Sequence, residues 1–96
     1  MKIVFTDEAD LDLLQIHGYL LARNPTAAME LASLFNTKLA TLAHFPFIGR
    51  DRSHFRDGLR SIVVDNYVVF YRVERDRILV VRVLDGRRDI DAEFLH

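Results

Sequence analysis

The hydrophobic period of this chain changes once along its length. Between Ala9 and Leu42 apolar residues recur at three- and four-residue spacing; from Leu59 onward they come as three short runs, 59–64, 67–73 and 78–84, broken by Asp65-Asn66 and by Glu74-Arg75-Asp76-Arg77. The first pattern is that of helices with one buried face, and the second that of strands joined by short turns. With Lys2-Ile3-Val4-Phe5 as an opening strand, the order is β-α-α-β-β-β. Amphipathic helices and a half-buried sheet each need the other's apolar side, so the expected architecture is an αα-hairpin packed on one face of a small, mainly antiparallel sheet. Ninety-six residues hold one such unit, and residues 1–96 read as a single α+β domain.

Thr6 reads as an N-cap ahead of Asp7, Glu8 and Asp10, acids that suit the positive end of a helix. The buried stripe of this helix is Ala9, Leu13, Ile16 and Leu20, widened by Leu14 and Leu21. Asn24-Pro25 both ends it and opens the next: proline disfavours helix at the residue before it and suits a first helical position, with Asn24 as cap. Ala28, Leu31, Ala32, Phe35, Leu39 and Leu42 form the second stripe. Pro46 cannot continue a helix, so residues 44–57 read as a loop. After Asp85-Gly86, residues 87–96 have room for a turn or two of helix, and His96 reads as a terminal side chain.

No run approaches the ~18 apolar residues of a membrane span, and the first residues lack the apolar run of a secretory signal. A cytoplasmic location without membrane contact is expected. The absence of cysteine excludes disulfides, thiolate metal sites and a cysteine nucleophile. A net charge of -1 argues against a general nucleic-acid coat. Eleven of the thirteen basic residues are nonetheless arginine, and ten of the thirteen follow His44, where nine acids accompany them. That density of both signs favours specific ionic contacts over bulk attraction.

Residues two apart on a strand share a face. Arg60 therefore goes with Ile62 and Val64, Arg72 with Val68 and Phe70, and Arg82 with Ile78, Val80 and Leu84. The opposite sets, Leu59/Ser61/Val63, Tyr67/Val69/Tyr71/Val73 and Leu79/Val81/Val83, are almost free of charge and are expected to meet the helices. The arginine-bearing face would then stay uncovered, half apolar and half cationic, as a docking surface for a partner. The alternative is that each arginine pairs with a nearby acid and contributes little.

Catalytic motifs are mostly absent: there is no G-x-G-x-x-G, no G-x-x-x-x-G-K-[ST] and no G-x-S-x-G. His17, His44, His54 and His96 are never paired at i, i+3 or i, i+4, so neither a metal nor any cofactor is expected. Ribonuclease chemistry would need a base, an acid and cations for the phosphorane. Arg60, Arg72, Arg82, Arg87 and Arg88 offer the cations, and His54, Asp85, Glu93, Tyr67 and Tyr71 the proton-transfer groups, with the two tyrosines withdrawn into the core if the face assignment holds.

The element order, together with Gly58-Leu59-Arg60, Asp65-Asn66-Tyr67-Val68-Val69-Phe70-Tyr71-Arg72-Val73, Val83-Leu84-Asp85-Gly86-Arg87-Arg88-Asp89-Ile90 and the tract Phe45-Pro46, Ile48-Gly49-Arg50, resembles the RelE/ParE toxin superfamily over nearly the whole chain. The resemblance implies a bacterial type II toxin, held inactive by an antitoxin whose C-terminal segment wraps it. The antitoxin's N-terminal domain binds operator DNA, which the toxin meets only indirectly. The uncovered face, with Arg60, Ile62, Val68, Phe70, Arg72, Ile78, Val80 and Arg82, is the expected antitoxin contact, giving a hetero-oligomer. RelE-like members cut messenger RNA in the ribosome; Arg60 and Arg88 match their basic positions, and His54 would be the proton-transfer group. Ile62 and Val68, however, stand where lysine and arginine are expected, Phe94 stands for tyrosine, and Asp85 for a frequent histidine. Missing groups of this kind each remove on the order of 10²–10⁴-fold from a general acid-base rate. The ParE-like branch, whose members poison DNA gyrase, is therefore favoured, with no catalytic residues and with Arg82, Arg87, Arg88 and Phe94 as candidate target contacts. The alternative for Arg87 and Arg88 is pairing with Asp85, Asp89 or Glu93. A ribosome-dependent endonuclease and a detoxified co-repressor that only binds its antitoxin are the two competing functions.

Overall fold

The computed structural model describes residues 1–94; His96 lies outside them. Strand β1 (Lys2–Phe5) leads into helix α1 (Asp7–Arg23), helix α2 (Pro25–His44), a two-residue strand β2 (Arg50–Asp51), strands β3 (Leu59–Val64), β4 (Tyr67–Glu74) and β5 (Arg77–Asp85), and a short helix α3 (Ile90–Phe94). Both expected caps form. The Thr6 hydroxyl accepts from Ala9 N at 3.1 Å, and the Asn24 side chain accepts from Ala27 N at 3.1 Å with Pro25 in the first turn. The Asp65-Asn66 turn takes a positive φ of 55° at Asp65, a conformation that Asp tolerates because its short side chain bonds locally.

The five strands form one mixed sheet in the order β1-β5-β4-β3-β2. The β3-β4-β5 meander is antiparallel, and β1 joins it parallel to β5. Strand β2, within the stretch expected to be loop, is specified only by pairing with Ser61 and Arg60 of β3, which composition does not register. The hairpin covers one face of the sheet. There Ala9, Phe35 and Leu42 pack with Val64, Val69, Tyr71, Ile78, Val80 and Val83. Among the described residues no helix is long and apolar enough to cross a membrane.

The sheet register overturns part of the expected face assignment. Ile62 pairs with Val69, so the face of β3 that bears Arg60, Ile62 and Val64 is the helix face, and Leu59 points the other way. Alternation separates two faces of a strand but does not say which one meets the helices. In β5 the cause is a bulge: Tyr71 pairs with Val80 while Phe70 pairs with Arg82, leaving Val81 as an extra residue. Ile78 and Val80, before the bulge, are fully buried beneath the hairpin, and Val83, after it, faces the hairpin too. Val68, Phe70 and Arg72 do lie on the second face, as expected.

That second face is not vacant. Leu59, Val68, Phe70, Val81 and Leu84 pack there under Phe55 from the loop before β3 and Phe94 from α3. The Phe94 ring stacks on Phe55 at 5.3 Å between centroids and lies 4.8 Å from Phe70. The chain's own residues thus close the surface that the sequence pattern leaves open for a partner.

Candidate protein-interaction site

Helix α2 ends where Phe45 N donates to Thr41 O at 3.0 Å, and Pro46 prevents a further turn. A tight turn follows, closed by Ile48 N donating to Phe45 O at 3.1 Å. Two sheet residues brace it from below. The Tyr71 hydroxyl donates to Pro46 O at 2.8 Å and accepts from Gly49 N at 2.9 Å. Burial raises the Tyr71 phenol above its ordinary pKa and keeps it a donor. Arg60 reaches from the helix face of β3 to Gly49 O at 3.0 Å and Phe47 O at 3.3 Å, its guanidinium 5.2 Å from the Phe47 ring centre. Gly49 is required by this contact: a Cβ there would lie 2.4 Å from the Tyr71 hydroxyl oxygen and 2.8 Å from Ser61 O.

The braced turn holds its apolar side chains outward. Phe45, Phe47 and Ile48 are each more than 60% exposed, and Val63 is equally open. A shallow concavity of about 430 Å³ is formed by residues 44–48. Beside it, a hollow of about 260 Å³ is lined by Lys38, Ile48, Arg50, Ile62 and Val63. Exposed aromatics on a pre-organised loop, next to lysine and arginine, form an apolar patch with a basic rim. Sequence reading noted the tract for its likeness to relatives and missed it as a surface; Pro46 between two phenylalanines was the available signal.

The other candidate residues are distributed differently. Arg82 is held inside the fold: its Nε and Nη2 donate to the two Asp12 oxygens at 2.8 and 3.1 Å, and Nη1 donates to Glu93 at 3.3 Å. The Asp12 bond raises its pKa further. Asp12 also accepts from Val83 N at 2.9 Å, replacing the strand neighbour that β5 loses where β1 ends. Phe94 is buried. Arg82 and Phe94 are therefore packing residues here and not free contacts for a target. Arg87 is exposed but forks onto Asp85 at 3.0 and 2.7 Å, which lowers the Asp85 carboxyl to about 2. Arg88 pairs with Glu93. Arg72 pairs with Glu74 at 3.2 Å.

Arg60, His54 and Arg88, the candidate ribonuclease set, each engage other groups. Arg60 spends its guanidinium on loop carbonyls on the helix side, whereas His54 lies against the Phe55 ring, 4.1 Å between centroids, and Arg88 sits beside α3. A cleft of about 320 Å³ between α1 and the sheet end gathers Gln15, Tyr19, Tyr67, Asp85, Arg87 and Arg88. Burial raises the Tyr67 phenol, with the Asp85 charge adding to it.

Fold and surface together define a small α+β domain that carries a braced, exposed aromatic loop. The family described as "ParE toxin of type II toxin-antitoxin system, parDE" matches residues 3–90. The chain belongs to this ParE toxin family. Toxin ParE3 of Caulobacter vibrioides is 42% identical over 53 residues, 55% of this chain and 53% of that protein, so the match spans about half the length of the curated relative. A solved structure described as the chromosomal ParDE TA system from P. aeruginosa has the same fold, with a TM-score of 0.71 at 20% identity over 86% of this chain and 92% of that one.

Proposed function

We propose that the chain is the toxin of a type II toxin-antitoxin pair in the cytoplasm, that it poisons DNA gyrase without cutting RNA, and that a cognate antitoxin holds it inactive. One observation carries the choice of target. The positions at which a ribonuclease-type relative needs lysine, arginine and tyrosine are Ile62, Val68 and Phe94, and all three side chains are spent on packing. Of the four candidate target contacts, Arg87 and Arg88 are left as surface groups suited to contact with a protein target. The antitoxin reading rests on the braced loop: its phenylalanines, with Lys38 and Arg50 alongside, suit the acidic amphipathic tail of such a partner. The antitoxin segment then covers the loop, and operator DNA is reached only through the antitoxin's own DNA-binding domain.

Purified chain added to gyrase and plasmid DNA is expected to trap cleaved DNA, and the protein from the neighbouring reading frame to abolish the effect. Codon-linked cuts in messages, read by primer extension from cells expressing the chain, would overturn the gyrase reading. Normal growth on overexpression would favour the detoxified co-repressor.

A further inference from the structure

Helix α1 carries a second apolar stripe that the fold leaves open. At about 100° per residue, Leu11, Leu14, Gly18 and Leu21 fall on the side opposite the core-facing Ala9, Leu13, Ile16 and Leu20. Leu11, Leu14 and Leu21 are 54%, 69% and 47% exposed, and a Cβ on Gly18 would meet nothing within 4 Å. After proline, glycine is the poorest residue for a helix interior. Nothing in the chain's own packing calls for it at position 18.

We propose that this stripe is a self-association surface, on which α1 packs antiparallel against α1 of a second copy about a two-fold axis level with Ile16. The spacing 11, 14, 18, 21 is the alternating three-four spacing of a coiled-coil seam. It is also self-complementary. In the antiparallel alignment Leu11 lies against Leu21 of the second copy, and Leu14 enters the hollow that Gly18 leaves. A parallel alignment would instead set Leu14 on Leu14 and glycine on glycine, leaving a void. Charge agrees with the antiparallel choice, since Asp7 and Asp10, on the stripe's side of the first turn, would face their own copies in a parallel pair and lie at opposite ends of an antiparallel one. Gln15 and His17 flank the centre, so no like-charged carboxylates or guanidiniums face each other there.

So short a seam buries less than the ~1,200 Å² of stable dimers, which sets the expected Kd at roughly 10 µM to 1 mM. Sedimentation velocity across that range should show the mass of the full chain rising toward twice the monomer's. Leu14→Glu, at an exposed position, should weaken association at least about 10-fold while circular dichroism stays unchanged. The chain has no cysteine, so single-cysteine variants report register. With oxidised glutathione as the oxidant, a mixture of Leu11→Cys and Leu21→Cys chains should form a disulfide-linked dimer about 10-fold faster than either variant alone, because only the mixture brings two Cβ atoms within disulfide reach. A chain that stays monomeric to about 1 mM would overturn the proposal, including the case in which a different helix occupies the stripe. So would self-association of Leu14→Glu equal to that of the parent, or cross-linking of Leu11→Cys alone at the rate of the mixture.

Discussion

A single hydroxyl does two jobs at Tyr71. Its ring fills the core under the hairpin, and its oxygen both donates and accepts across the turn that follows α2. Tyr71→Phe keeps the ring but strands Gly49 N in a buried place, and is expected to lower stability by about 1–3 kcal/mol. Gly49→Ala must push the tyrosine away and is expected to cost a similar ~1–3 kcal/mol; urea unfolding measures both. Asp85 gives a pH signature at the same scale. Its folded pKa of about 2 lies below the ordinary 3.8, so its contribution is complete above the ordinary value and is lost as pH falls toward 2. Arg87, the main cause, is 83% exposed, so solvent screens the pair and the contribution is small. Arg87→Ala should move the Asp85 titration, followed by carbon NMR, back toward 3.8 and flatten the stability profile between about pH 4 and 2.

Between elements, the critical joint lies where β1 stops short along β5. Thr6 and Asp12 take over the missing strand's role: Thr6 Oγ1 donates to Val81 O at 3.0 Å, and Asp12 accepts from Val83 N while holding Arg82. Asp12→Ala takes the two-oxygen partner from a mostly buried guanidinium, leaving it hydrogen-bonded to Glu93 alone, and strands a backbone N–H, so a loss approaching about 3–5 kcal/mol is expected. Adding Arg82→Met should restore most of it, because an apolar replacement of the whole pair removes the stranded charge. Unfolding of the two single variants and the double variant closes the cycle. This joint also marks the limit of what the sequence discloses. The caps at Thr6 and Asn24, the two stripes and the three strand runs are local patterns and are readable as such. The Val81 bulge is one extra residue with no composition of its own, and the Asp12–Arg82 pair joins positions 70 residues apart. Without the bulge, alternation carries Ile78 and Val80 to the wrong face, and without the pair, Arg82 looks free. Likewise, the arginine at 60 looks like surface only until the loop carbonyls it serves are in place.

At the scale of the whole molecule, the polar and aromatic groups divide into those that hold the fold and those that face outward. The first group includes Arg82, Phe94 and Arg60, all of which the linear pattern assigns to partners. The second contains the 45–48 turn at one end and Arg87 with Arg88 at the other. If these are separate functional surfaces, they should fail separately. Phe45→Ser combined with Phe47→Ser removes two exposed aromatics without touching the Tyr71 and Arg60 bonds to the turn's backbone, so the unfolding midpoint should hardly move. Buried aromatic anchors at an interface are worth about 2 kcal/mol or more each, so antitoxin affinity should fall by at least ~10²-fold, as calorimetric titration would read. Arg87→Ala combined with Arg88→Ala should leave that affinity within about threefold and weaken the trapping of cleaved DNA by gyrase. The reverse pattern, with the serine variant still bound tightly and the arginine variant released, would place the antitoxin at the C-terminal end and remove the assigned role of the braced loop.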